Sequence, residues 1–499
     1  MALSEPGPAE RIRQPERAGL PRPSYVRAVT PEPSRTYRTL RAIVRGILRL
    51  FFRDIAVEGR EHVPAEGGGL LVAWHPNGII DPGLMLAAFP REVVFGARDG
   101  LLRWPLIGWM MRKLGTVPIY RAQDHAGDDA AARREANARS LDALAGAVAG
   151  GSFAALFPEG HSHDEPRVMG VRSGAARLYL RAEALGAEAP AILPVGLHYD
   201  AKSVFRSDVL VVFHPPLDLP PGADVETINT EIEAALVHAV HATEDWDLHH
   251  TMQQASALVR AEAESREGTR DAAHSLRERR ADFEQMWRGY HARLATHPEE
   301  IGALRREVSA YRRALALLGL TDRDLDAPPE RTARQLAAAA VQGTLTYVLL
   351  RPLFLFGLLV NAPPYWALKP IARHLARDEK DAATIKLLGG LVLFPLAWVA
   401  AAALAVVGLA PLREIAPWVP DAPLAIGLGA FGLSVAGAVL ALLSSELAVA
   451  TGRAVRARWV RWRRPAIVRD LLARRSALHD RLVALADGLD EAEPVAVGR

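Results

Sequence analysis

The sequence contains no cysteine. That removes disulfides, thiolate metal sites and a cysteine nucleophile from the chemistry open to it. Lysine is scarce as well. Only five of the 60 basic residues are lysines: Lys113, Lys202, Lys369, Lys380 and Lys386. Positive charge is therefore carried by arginine, whose planar fork can grip two oxygens of a phosphate at once. The first 35 residues lack an apolar h-region and are rich in Pro, Arg and Glu. They do not read as a secretory signal, and a disordered cytosolic tail is expected over 1–35. No Gly-x-Ser-x-Gly elbow accompanies the histidine singled out below, which weighs against a serine hydrolase.

Apolar residues make up half of the 499-residue chain and concentrate after residue 335. Leu387–Pro411 and Pro423–Ser445 carry no charge and are long enough for the roughly 30 Å hydrocarbon core of a bilayer. They are read as transmembrane helices. Leu336–Leu368 is interrupted at Arg351-Pro352 and again at Asn361-Ala362-Pro363-Pro364. This segment reads as a kinked span or, preferably, a re-entrant hairpin turning at the second break. Basic residues crowd 369–386 and 453–464, the latter with six arginines, whereas 412–422 holds only Arg413. The positive-inside rule then puts 369–386 and the basic helical tail 453–499 in the cytoplasm. A hairpin would keep the N-terminal part on that side too.

Residues 36–54 read as a basic amphipathic helix. Leu40, Ile43, Val44, Ile47, Leu48 and Phe51 share one face, with Arg38, Arg41, Arg45, Arg49 and Arg53 away from it. Such a helix suits the headgroup layer of an anionic membrane; the bland alternative is a helix packed on the protein's own core. Residues 55–224 alternate strand-like runs (Leu70–Trp74, Val93–Ala97, Phe153–Phe157, Ala191–Leu197, Val209–Phe213) with helical patterns such as Ala130–Val148. The expected fold is an α/β domain with a mostly buried sheet flanked by helices. Residues 225–335 read as a charged helical connector with anchors at Phe283, Met286 and Trp287.

The chemistry concentrates in the α/β part. Leu70–Trp74 runs into His75-Pro76-Asn77-Gly78-Ile79-Ile80-Asp81-Pro82. A Pro-Asn-Gly turn after a buried strand presents the histidine at the sheet's end. Asp81 is close enough to fold back and accept a hydrogen bond from the imidazole, leaving the other ring nitrogen to take a proton. Gly115-Thr116-Val117-Pro118-Ile119-Tyr120-Arg121 ends a second strand with an arginine suited to phosphate. Phe157-Pro158-Glu159-Gly160 ends a third with a carboxylate. Ile192-Leu193-Pro194-Val195-Gly196 carries a proline inside an apolar strand, which argues for an edge or bulge beside a site. His161, Ser162, His163 and Asp164 lack the further ligands a metal centre needs, so no metal is assigned. His198, His249 and His250 have no motif around them and read as structural.

These four blocks, in this order, resemble the glycerol-3-phosphate and lysophosphatidate acyltransferase superfamily over about residues 55–220. His75 and Asp81 are separated by five residues rather than the usual four, and Ile80 takes the usual Asp place. That spacing, with Ser162-His163-Asp164 after Phe-Pro-Glu-Gly, resembles the fungal-type glycerol-3-phosphate/dihydroxyacetone-phosphate acyltransferase branch.

The resemblance implies a set of roles. His75 is the general base held by Asp81, and Arg121 binds the acceptor's phosphate. Glu159 and Gly160 shape the acceptor pocket, with Glu159 bonding acceptor hydroxyls. Pro194 lies on the acyl-donor side, and Arg172 is a second phosphate contact. The resemblance names no oxyanion stabiliser, and the backbone amides near Asn77-Gly78 are the candidates for it. It further implies acyl-CoA or acyl-carrier protein as co-substrate without another cofactor, and a glycerol 3-phosphate acceptor or alternatively a lysolipid. The partner is a lipid bilayer and not a nucleic acid. The setting is an integral protein of the cytoplasmic membrane with its catalytic domain facing the cytoplasm. The alternative of another class is a non-enzymatic membrane scaffold on the same fold.

Overall fold

In the computed structural model the residues described are 33–120, 130–186, 189–269, 274–326, 337, 341, 344, 351–375 and 379–486. The chain enters through helix α1 (Arg35–Phe51) and then builds β1 (Asp54–Glu58), β2 (Gly69–Ala73), α2 (Ile80–Ala88), β3 (Val93–Arg98), a short α3 (Asp99–Leu102), α4 (Pro105–Lys113) and β4 (Val117–Ile119). There follow α5 (Ala130–Ala149), β5 (Phe153–Leu156), α6 (Gly174–Leu185), β6 (Ala191–Tyr199), β7 (Asp208–Phe213) and α7 (Val225–Val240). The seven strands order as β1-β7-β6-β2-β5-β3-β4, parallel at every step except β6 against β7. β2 sits near the centre and all five of its residues are buried, as a parallel strand covered on both faces requires.

Two apolar layers sandwich the sheet. On one face α1 and α2 pack Leu48, Phe51, Leu84 and Met85 against Leu71, Phe153 and Val211. On the other, α5, α6 and α7 pack Leu144, Leu178, Ile228 and Ile232 against Leu70, Val72 and Ile192. Helix α7 therefore completes the sheet's cover, and the α/β unit extends past 224, where the sequence pattern had placed its end.

Helix α1 packs on the protein's own core, with Tyr37, Leu40, Leu48 and Phe51 buried. Three of its neighbouring arginines are engaged by protein rather than left for lipid. Arg41 donates to Phe89 O and Arg45 to Ala87 O at the C-terminal end of α2,, where carbonyls lack helical partners and attract cations. Arg53 grips Asp208 through two nitrogens. Ile43 and Leu50 stay exposed.

Proline 194 also departs from expectation. It lies in β6, between β7 and β2, and pairs with Val72 rather than marking an edge. Its carbonyl accepts from His214 N just beyond the end of β7 (2.9 Å), so the missing N–H falls where that ladder opens and little is lost.

Beyond the sheet, α8 (Trp246–Glu267), α9 (Leu276–Leu294), α10 (Pro298–Leu318) and α11 (Asp322–Leu325) form a helical arm. Its α9 docks on the end of α7: Trp287 Nε1 donates to Ala242 O at 2.6 Å, and the rings of Trp287 and Phe283 flank His241. The last helices are α12 (Arg351–Leu375), α13 (Glu379–Val407), α14 (Leu409–Ile415), α15 (Pro423–Arg463) and α16 (Pro465–Ala486). Two segments, Ala382–Val407 and Pro423–Ser444, are long and apolar enough to cross a membrane. The first starts earlier than the sequence suggested and stops at Val407, before Gly408.

Helix α12 runs unbroken through Asn361-Ala362-Pro363-Pro364, where a hairpin turn was expected. Its packing explains the continuity. Gly357 meets Gly437 so closely that an added Cβ would lie 2.5 Å from the Gly437 Cα, and small residues permit such crossings. Asn361 donates to Gly357 O and Ser434 O, while Trp398 Nε1 donates to Asn361 Oδ1 at 2.8 Å. One amide thus ties α12, α13 and α15 together. At the far end α16 returns to the arm, burying Leu471 and Leu478 with Leu258 and Leu304. Its buried Arg475 pairs with Glu262 and Asp326 (both 2.9 Å).

The junction between sheet and arm gathers imidazoles. Burial foremost, reinforced by Arg280, lowers His214 to about 4 and His241 to about 2. Burial, then His250, lowers His249 to about 4, and burial holds His198 well below its usual range. These rings are neutral when folded, whereas the unfolded chain protonates them below about pH 6.5. Stability is therefore present at neutral pH and declines as pH falls from that value toward 4. The thermal midpoint measured against pH is expected to fall from 7 to 5, with a shallower slope in His214→Gln and His241→Gln.

Candidate active site

Parallel strands end on the same side of a sheet, and open α/β folds place their sites there. β2, β5 and β6 run parallel, so the residues following them converge. His75 comes two residues after β2, Glu159 three after β5, and Tyr199 closes β6.

His75 Nδ1 lies 2.8 Å from Asp81 Oδ2. Gly78, with φ of 47°, makes the tight turn that brings α2 back under the histidine. Asp81 is fully buried, whereas the imidazole keeps 14% exposure. The same Oδ2 accepts from Asn77 N at 2.7 Å, and Oδ1 accepts from the Tyr199 hydroxyl. The carboxylate thus accepts from three donors. Tyr199 is pushed well above its ordinary range, chiefly by burial and then by Asp81, so its hydroxyl stays protonated and donates. With Asp81 Oδ2 accepting, Nδ1 of His75 carries the hydrogen and Nε2 is left with a lone pair. Phe157 stacks on the imidazole, centroids 4.0 Å apart and planes 15° from parallel.

A second buried carboxylate fixes the backbone of the same histidine. Glu159 Oε2 accepts from His75 N at 3.0 Å; Oε1 accepts from Met169 N at 2.8 Å and from His163 Nε2 at 2.7 Å. His163 Nδ1 accepts from Glu165 N, which leaves the hydrogen on Nε2. The loop closes with His163 N donating to His75 O at 3.0 Å. Glu159 is therefore turned inward as a strut and does not face an acceptor's hydroxyls. Asn77 is corrected likewise. Its N–H is held by Asp81 and its side-chain amide donates to Lys202 O (3.0 Å), so it offers no oxyanion donor.

Gly160 adopts φ of 77°, and an added Cβ there would press on Arg172 at 3.1 Å. Arg172 is exposed and donates its N–H to Pro158 O, which puts its guanidinium beside the Phe-Pro-Glu-Gly turn. Pro194 lies inside the sheet next to Val72, three residues before His75. Arg121 is outside the described residues. The strand leading to it is anchored by Asn137, which accepts from Tyr120 N and donates to Tyr120 O, each at 2.8 Å. Among the described residues no group of three or more His, Cys, Asp or Glu side chains can hold a metal ion.

The stretch 54–198, which contains every one of these groups, matches the family model described as Acyltransferase. Residues 54–198 form an acyltransferase-family domain. An uncharacterized acyltransferase of Schizosaccharomyces pombe is 25% identical over 266 residues, 37% of this chain and 39% of that protein. An uncharacterized protein of Mycobacterium tuberculosis is 31% identical over 130 residues, 24% of this chain and 31% of its own. The chain thus spans less than half the length of these curated relatives. Among solved structures, 1-acyl-sn-glycerophosphate (LPA) acyltransferase, PlsC, from Thermotoga maritima aligns with a TM-score of 0.32 and 19% identity, covering 41% of this chain and 78% of that one.

Two residues of the acyltransferase domain's site escaped the sequence reading. Tyr199 had no motif to announce it, although it ends the strand that carries Pro194. Phe157 was visible only as part of Phe-Pro-Glu-Gly, not as a partner of the imidazole. Tyr199→Phe removes one donor from Asp81 and weakens its hold on His75. The expected result is a kcat lower by about tenfold and a stability lower by about 1–3 kcal/mol, the loss of one donor to a buried carboxylate, measured by steady-state acyl transfer and a melting curve.

Proposed function

We propose that this acyltransferase domain moves a fatty acyl group from a thioester, acyl-CoA or acyl-carrier protein, to a hydroxyl of glycerol 3-phosphate in phospholipid synthesis. The observation that carries the reading is the partly exposed His75, whose Nδ1 is bound to a buried and triply hydrogen-bonded Asp81. An imidazole so held has its Nε2 lone pair directed outward. Nε2 takes the proton of the acceptor hydroxyl as that oxygen bonds to the thioester carbonyl carbon. When the tetrahedral adduct collapses, the carbon–sulfur bond breaks, and the imidazolium returns the proton to the thiolate. The ester and a free thiol are formed, with no acyl-enzyme and no cysteine. Asp81 stabilises the imidazolium between the two proton transfers. Arg172, beside the Gly160 turn, and Arg121 are the cations for the acceptor's phosphate.

The membrane setting supports a lipid pathway. The two apolar segments and the basic residues at 369–386 and 453–464 suit an integral protein with its catalytic domain in the cytoplasm. The return of α16 to the arm agrees with a C-terminal tail on the same side as the domain. A second reading, a lysophosphatidate or other lysolipid acceptor, is favoured by the bond from Ile79 N to Thr384 at the head of the first apolar segment (3.3 Å), since a site joined to a membrane-crossing segment would suit an acceptor carried in lipid.

Purified membranes given labelled acyl-CoA with glycerol 3-phosphate, dihydroxyacetone phosphate or lysolipids should acylate one acceptor class, identified by mass spectrometry. His75→Ala and Asp81→Asn should lower that rate by about 10²–10⁴-fold without loss of fold. No acylation of any acceptor by the wild-type chain, or full activity in His75→Ala, would contradict the proposal.

A further inference from the structure

The catalytic loop is fastened from outside its own domain. Helix α2 begins at Ile80 behind the N-cap Ile79, whose side chain cannot accept a hydrogen bond. The one carboxylate in its first turn, Asp81, is occupied with His75, Asn77 and Tyr199. A helix start normally has a side-chain oxygen to satisfy its free N–H groups. Here the Ile79 N–H donates to Thr384 Oγ1 at 3.3 Å, a partner 305 residues away.

The same helix also reaches the β6–β7 connection, which touches that loop. Lys386 Nζ donates to Ser203 O at 2.8 Å. The preceding residue, Lys202, offers its carbonyl to the side chain of Asn77 (3.0 Å), and Asn77 N holds Asp81. Flanking the two contacts, Ala383 is fully buried in the cluster that contains Ile80 and Leu84, and Leu387 packs against that cluster. The apolar segment Ala382–Val407 starts at these residues.

We infer that Thr384 and Lys386 are positioning residues: the first turns of the apolar helix set the His75–Asp81 geometry by capping α2 from a distance and by bracing the loop that holds Asn77. The inference rests on the His75–Asp81 reading given above and extends it to residues outside the acyltransferase match. It makes the apolar helix a working part of the site and not merely an anchor.

The test compares Thr384→Val, which keeps the shape but loses the acceptor oxygen, with Thr384→Ser, which keeps the oxygen. Both are made in the full chain, reconstituted in phospholipid vesicles beside His75→Ala. Thr384→Val is expected to lower kcat on the order of tenfold, with KM for both substrates nearly unchanged, because displacement of a catalytic group acts on the transition state. Thr384→Ser should restore it. Should Thr384→Val fail to fold, Lys386→Met must show the same loss of kcat at constant KM. Wild-type kcat in the variants beside an inactive His75→Ala overturns the inference and leaves the function standing, as does a change confined to KM or an equal loss in Thr384→Ser. Activity in His75→Ala would instead overturn the function on which the inference rests.

Discussion

The site depends on a carboxylate that has been taken out of water and given three hydrogen-bond donors in return. An ion buried without partners would be prohibitively unfavourable. Asp81 is fully buried, yet His75, Asn77 and Tyr199 surround it. Each donor comes from a different place: the end of β2, the turn after it, and the end of β6. The carboxylate can therefore be satisfied only when the sheet is assembled in register, so that folding and the orientation of the imidazole become one event. The same bonds settle which nitrogen of His75 is free.

Glu159 repeats the device on the main chain. It follows β5, β2's neighbour, and holds the His75 N–H together with His163 and Met169. One carboxylate orients the ring and the other the backbone that carries it, while Phe157 restrains the ring plane. Over-determination of this kind suits the role proposed for His75, a base that must meet a hydroxyl within a few tenths of an ångström.

Much of this was legible in the chain and some was not, for physical reasons. Strands with continuous apolar runs announce burial on both faces, so β2, β3, β5, β6 and β7 were visible, as were α5 and the His75–Asp81 pair. The inward turn of Glu159 was not, because a motif names a residue without saying which of its neighbours need an acceptor. Pro194 suggested an edge because proline breaks ladders; the sheet instead places it where a ladder opens. Arg41 and Arg45 of α1 looked ready for lipid, yet they bond the carbonyls at the end of α2 beneath them. The Asn361–Pro364 segment looked like a turn, yet packing at Gly357 and the bonds of Asn361 carry a helix through it. In each case the partner lies far away in sequence, and local pattern holds no record of it. Thr384 is the extreme example, bonding to a residue 305 positions earlier.

The proposed chemistry depends on the state of one imidazole. Nitrogen-15 chemical shifts of ring-labelled His75, recorded near neutral pH in the full-length chain, report that state directly. A hydrogen on Nδ1 and a bare Nε2 are expected, with the preference lost in Asp81→Asn. A ring protonated at Nε2 and bare at Nδ1, or one unaffected by that substitution, would contradict it.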